Sequence, residues 1–198
     1  FFIIRGPFPK LGSSDFDPEK SIAVLPFKNL STDSANLYFV DGLMESTLNK
    51  LQTIKDLRVI SRTSVERYRN TDKSIQEIAE DLDVQYIIEG SGQRVNNQIL
   101  LSIQLIDAKK DSPVWTNQYE YKVVDIFSLQ NTVAKKIAQA IQAKITPEEL
   151  IRLEKKPTEN TVAYDLYYKG LEQLNIRSTE SLFKGIEYFE EAIEKDPE

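Results

Sequence analysis

The 198-residue chain has no cysteine and no histidine. Without cysteine there is no thiol nucleophile, no disulfide and no thiolate metal site. Without histidine the side chain that titrates near neutrality is gone, and with it the imidazole ligands of zinc centres. What is left points to no catalytic residue, no cofactor and no metal. Positive charge is also in deficit: 25 basic against 31 acidic residues leave a net charge of −6. Such a chain repels phosphate backbones, so nucleic acid is not an expected partner of this segment. The pairs Lys109-Lys110, Lys135-Lys136 and Lys155-Lys156 have acidic neighbours and read as solvated faces. Missing cysteine is compatible with any compartment. Long apolar runs are absent at the start, where only Phe1-Phe2-Ile3-Ile4 is apolar. A bilayer needs about 20 such residues. These four read either as the last turn of a membrane helix or as a short tail that docks on the domain. The first residue is Phe, so the chain reads as a piece of a longer protein. Residues 1–20 continue with Pro, Gly, Ser and Asp and read as a linker.

A hydrophobic content of 40% supports a packed core, and 28% charged residues a soluble surface. Ile22–Phe27 is a continuous apolar run, the pattern of a strand buried on both faces, and Pro26 should end it. Leu37–Ile54 has apolar residues at helical spacing. Leu57–Ser61 is a short strand. Ser74 and Glu77 form a capping box ahead of a short helix with Ile75, Ile78, Ala79 and Leu82 on one face. Val84–Glu89 is a strand. Val95-Asn96-Asn97-Gln98 is a hairpin turn, since Asn tolerates positive φ. Ile99, Leu101, Ile103 and Leu105 alternate as a strand requires, and Val114–Tyr121 is the next strand. Asp125–Ile145 is a long amphipathic helix. The predicted order is β-α-β-α-β-β-β-α: an α/β (mixed α+β) fold with a five-stranded mixed sheet and helices packed on it. Its first three strands are parallel and its last three form an antiparallel meander.

Thr146-Pro147-Glu148-Glu149 opens a connecting helix, with a Thr cap, Pro at the first position and acids in the first turn. Pro157 ends it. The helix is strongly charged and is expected at the surface. Val162–Leu174 and Glu180–Lys195 then form a helix pair across a polar turn, Asn175–Thr179. Domains are expected at 21–145, with a connecting helix and linker at 146–160 and the helix pair at 161–198.

The motifs SIAVLPFKNLS (21–31), YFVDGL (38–43), LRVISRTS (57–64), QYIIEGS (85–91), IQLID (103–107), VWTNQYEY (114–121) and DIFSLQ (125–130) occur in that order. This string resembles the TolB-like amino-terminal domain family, which is related to the FlgO-type domain. It departs in using Val95–Gln98 in place of a glycine-containing turn and in the charge of Lys109-Lys110-Asp111. In the tail, Ala192, Phe189 and Gly185 lie five, eight and twelve residues before Pro197. That spacing resembles the second helix of a tetratricopeptide repeat. Gly170 falls about three residues early for a unit of ~34 residues, which implies an enlarged turn. The competing reading is an ordinary helical hairpin packed on the first domain.

The resemblance implies a binding or sensing module, not an enzyme. It implies a setting behind a DNA-binding domain and membrane helix, or behind a class III adenylate cyclase domain, and repeats that follow. On that basis the chain is expected to be an extracytoplasmic (periplasmic) part of a bacterial membrane-associated signalling or transcription-regulatory protein, with a cytoplasmic location as the alternative. Protein partners are expected through the repeat, with an unknown small ligand as a further possibility. The competing function is a scaffold of a cell-envelope complex.

Ligands of open α/β sheets favour the carboxyl ends of parallel strands. Asn29, Ser31, Asp41 and Glu45 are candidates to line such a crevice. Helix capping and tight packing at Gly42 is the competing account of Asp41-Gly42. Arg62 and Thr63 follow the second strand and could hold an anion; against this stands an N-cap at Thr63 or Ser64 with Arg62 paired to Glu66. Glu89-Gly90-Ser91-Gly92 lacks a phosphate-loop pattern and reads as a bulge or bend. Trp115, Tyr119 and Tyr121 share a strand face and read as core or edge packing, with a recognition surface as the competing account. Tyr164, Tyr167 and Tyr168 lie on the first repeat helix, where some are core and some could meet a partner.

Overall fold

The computed structural model describes residues 20–32 and 36–197. Phe1–Ile4 and the rest of the expected linker lie outside the described residues, except for Lys20. The described residues form six strands: β1 (Ser21–Val24), β2 (Lys28–Asn29), β3 (Arg58–Val59), β4 (Tyr86–Val95), β5 (Gln98–Asp107) and β6 (Ser112–Lys122). Seven α-helices accompany them: α1 (Leu37–Gln52), α2 (Arg62–Glu66), α3 (Ile75–Leu82), α4 (Ile126–Ala140), α5 (Pro147–Glu154), α6 (Thr161–Ile176) and α7 (Thr179–Lys195).

The fold is the expected mixed α+β sheet, with six strands in place of five. The order is β3-β1-β4-β5-β6, and β2 pairs with β4 beyond the end of β1. Pro26 explains the sixth strand. It has no N–H to donate, so the ladder breaks there and resumes at Lys28–Asn29, parallel to Ser91 and Gly92. β1 is parallel to β3 and β4, and β4-β5-β6 is an antiparallel meander. Asn96 takes the left-handed φ of 54° that the β4–β5 turn needs. β1 is fully buried, as expected of a strand covered on both sides.

α1 places Val40, Leu43, Met44, Leu48 and Leu51 in the core, and α4 adds Leu129, Val133 and Ile137. α4 ends at Ala140 and not at Ile145. Gln142 turns left-handed (φ 53°), and Ala143 N–H donates to Ala138 C=O at 2.8 Å, which closes the helix. Ser74 and Glu77 form their capping box, as do Thr146 and Glu149. The connecting helix α5 exposes one charged face but is fastened down on the other. Leu153 is fully buried, and Glu149 Oε1 accepts from the backbone N–H of Lys55 at 3.2 Å.

α6 and α7 form the expected antiparallel pair. Their connection is only Arg177-Ser178, shorter than the expected 175–179, because α6 runs on to Ile176 and Arg177 supplies a left-handed turn (φ 57°). Gly170 admits the Phe189 ring: a Cβ there would lie 2.5 Å from it. The pair is not isolated. Tyr164 and Tyr168 of α6 belong to the same buried cluster as α1 and α4.

Candidate functional site

One turn of α1 after another presents Glu45, Ser46, Asn49, Lys50 and Thr53 on the face that looks toward α6. The spacing of three to four residues puts them on one stripe. α6 answers with Tyr164 and Tyr168, four residues apart. Between them opens a cleft of about 780 Å³, closed by the end of α5, by Gln130 of α4 and by Phe189 of α7.

Aromatic rings form its inner wall. Phe127, Tyr164 and Tyr168 meet edge to face with centroids 4.9 and 4.7 Å apart, and Tyr167 continues the series at 5.3 Å. Tyr164 and Tyr168 are buried, whereas Tyr167 is 47% exposed. Burial pushes the hydroxyl pKa of Tyr164 and Tyr168 upward, so both stay protonated. Two polar groups reach the inner end. Gln130 is 2% exposed; its Nε2 donates to Tyr164 Oη while its Oε1 has no hydrogen-bond partner. Lys50 is 9% exposed, and its Nζ donates to the Leu153 carbonyl at 2.7 Å. Burial lowers the Lys50 pKa.

A second clamp joins the α/β layer to the helix pair. Asp165 of α6 accepts from Tyr38 Oη and from Arg94 Nη1, each at 2.9 Å, and pairs with Lys169 at 3.0 Å. Between α1 and α2 is a network of five charges. Arg69 grips Asp41 bidentately at 2.9 and 3.0 Å and also bonds Glu66; Arg62 pairs with Glu45. Burial raises the Asp41 pKa against the pull of Arg69.

The structure therefore brings Asp41, Glu45 and Arg62 together in an ion-pair network. Thr63 is exposed on α2. The N-cap of α2 is Ser61, whose Oγ meets Ser64 Oγ at 3.1 Å. Asn29 and Ser31 form a local turn, with Ser31 N–H donating to Asn29 Oδ1 at 2.9 Å and Asn36 Nδ2 to Ser31 Oγ at 3.2 Å. A strand-end crevice of about 440 Å³ does exist, but its lining includes Lys28, Arg69, Glu89 and Ser91, and none of the six expected residues. After Pro26 the chain runs on in the same direction as β2 along β4, so Asn29 and Ser31 lie beyond the end of β1 and bond locally instead of bordering the crevice. The larger cleft takes Glu45 together with all three tyrosines. Sequence reasoning missed Lys50 and Gln130. Gln130 had a signal: it follows Ile126 by four residues and precedes Ala134 by four, a polar residue in an apolar register.

Residues 18–154, from β1 to the end of α5, match the family described as HilA/YgeH-like transcriptional regulator, second domain. The chain belongs to this family. The match stops short of α6. "Putative adenylate cyclase 3" of Rhizobium meliloti (strain 1021) is 32% identical over 177 residues, which is 89% of this chain. The chain spans 30% of the length of that relative. Among solved structures, TolB from Acinetobacter baumannii is similar with a TM-score of 0.46 at 17% identity, over 61% of this chain and 28% of that one. Lipoprotein GNA1162 from Neisseria meningitidis is similar with a TM-score of 0.46 at 15% identity, over 60% and 96%. Among the described residues no cluster of acidic side chains could hold a metal ion, and no helix is long and apolar enough to cross a membrane.

Proposed function

We propose that this chain is a non-catalytic binding and sensing module of a longer regulatory or signalling protein, and that the pose of the α6–α7 pair on the α/β layer carries its signal. The observation that carries the reading is the shared cleft. Its walls come from α1 and α4 on one side and from α6 and α7 on the other. Anything that fills it touches both bodies, and so biases how they sit. The two named matches, a transcriptional regulator and an adenylate cyclase, fit the two settings that the motif string implies. In this reading α6–α7 is the first unit of a tetratricopeptide array that takes a protein partner. The module then lies on the extracytoplasmic side of a bacterial inner membrane.

The test uses the full-length protein with Gly42→Leu, which drives α6 away from α1. Its output is read as target transcription or cyclic-nucleotide production, according to the output domain that accompanies this one. The expected result is a several-fold change in output at unchanged protein level. Unchanged output with a displaced helix pair would overturn the reading.

A scaffold role in a cell-envelope complex is favoured by a different observation. α7 leaves Leu182, Phe183, Ile186 and Ile193 between 43% and 65% exposed along its length. A row of apolar residues of this kind is suited to packing against another helix. In that case Leu182→Glu with Ile186→Glu abolishes assembly of the complex, and Gly42→Leu does not.

A further inference from the structure

Three features of the cleft stand apart from the docking of the helix pair. The first is Gln130 Oε1, an acceptor within a side chain only 2% exposed and left without a partner among the described residues. Buried polar atoms are almost always satisfied, and an unmet one in a cavity lining is a place for a ligand donor. The second is surplus positive charge. Among the described residues Lys50 has a backbone carbonyl as its only hydrogen-bond partner, and no carboxylate forms an ion pair with Lys50, Arg152 or Lys155. Of the acids in the lining, Glu45 is paired with Arg62, and Asp196, which accepts from Thr158, offsets one of these three cations. The third is shape. The volume of about 780 Å³ falls within the range of about 300–1,000 Å³ typical of small-molecule sites. Tyr164, Tyr167 and Tyr168 supply an aromatic wall suited to a flat body.

We propose that this cleft binds a small organic anion with a planar body, its anionic group held by Lys50, Arg152 and Lys155 and an N–H or O–H donor of its ring system met by Gln130 Oε1. The inference rests on the reading of the cleft as the binding site. The aromatic wall contributes contact area, and the three cations select charge. The unpartnered acceptor selects against a purely apolar ring, because an acceptor sealed off by such a ring keeps its desolvation cost. Tyr167, half exposed, stands at the open side, where the planar body would pass.

The experiment is a calorimetric titration of the intact chain with two probes of this class, adenosine 5′-monophosphate and N-acetyl-tryptophan. Adenosine and inorganic phosphate serve as the neutral and body-less controls. Saturable one-to-one binding of at least one probe is expected below about 1 mM, with neither control binding comparably. Arg152→Ala with Lys155→Ala, both exposed and harmless to folding, should weaken it by about tenfold. Gln130→Leu should weaken it by a similar factor with the helix pair still docked. Failure of both probes, or binding unchanged in both variants, overturns the proposal. The sensing reading is judged separately by the output of Gly42→Leu, so a flat titration beside a changed output would leave a sensor with a macromolecular input.

Discussion

The Tyr168 ring lies directly on the backbone of Gly42. A Cβ at position 42 would stand 2.7 Å from the ring, closer than any real side-chain contact. This one approach sets how near α6 can come to α1, and hence the shape of the cleft that both helices line.

Gly42→Leu is therefore expected to destabilise the docked arrangement by about 1–3 kcal/mol, the usual cost of overpacking. The effect should be local to α6 and α7. Hydrogen exchange would show it as faster exchange in both helices with β4 and β5 unchanged. Tyr168→Ala in the same chain removes the obstacle and should recover part of the loss. Two additive losses would show that the contact does not set the spacing.

Tyr164→Phe removes the hydroxyl that receives the Gln130 amide. Both polar ends of a side chain 2% exposed are then left unmet. The expected cost is about 1–3 kcal/mol by urea denaturation. Adding Gln130→Leu takes the stranded amide away and should return most of that stability. If the double variant is as weak as Tyr164→Phe alone, the hydroxyl does not act through Gln130.

The acid limb of the stability curve has a named contributor. The backbone N–H of Thr146, then that of Lys55, hold the Glu149 carboxyl below its ordinary value of 4.5. Its pKa is lower folded than unfolded, so its contribution is present above about pH 4.5 and is lost as pH falls through the folded value. Asp41 and Glu172, raised chiefly by burial, act in the opposite sense: their ionisation opposes folding as pH rises. Glu149→Gln should lower the urea midpoint at neutral pH, and the gap from the parent should close as pH drops below 4.5. A gap that stays constant with pH would mean that packing of α5, and not the charged cap, is what the substitution removes.

Much of the fold is legible in the residues because its signals are local. The capping boxes at Ser74 and Thr146 and the left-handed Asn96 follow from side-chain and backbone chemistry within four residues. The alternation of β5 needs nothing beyond its own strand. β2 escapes for a physical reason: two residues are too few for a period, and their ladder runs to Ser91 and Gly92, sixty-three residues away. The end of α4 escapes too, since the apolar stripe runs on to Ile145 while Gln142 turns the backbone.

Of the expected site, the residue types proved more readable than the grouping. Asp41, Glu45 and Arg62 do meet, and the tyrosines do face a cleft. That Glu45 and the tyrosines border one cavity depends on contacts between residues more than a hundred positions apart. The same is true of Lys50, which reads as an ordinary solvated lysine until α5 covers it and offers the Leu153 carbonyl. By itself the sequence determined the longer elements, the caps at Ser74 and Thr146, the parallel-then-meander order of the sheet and the absence of thiol and imidazole chemistry. These follow from local periodicity and composition. Only the tertiary structure decided that the helix pair docks on the α/β layer, and that a glycine on one helix and a tyrosine on the other shape a cleft between them. Such packing depends on the fit of distant surfaces, and no local pattern in the chain encodes it.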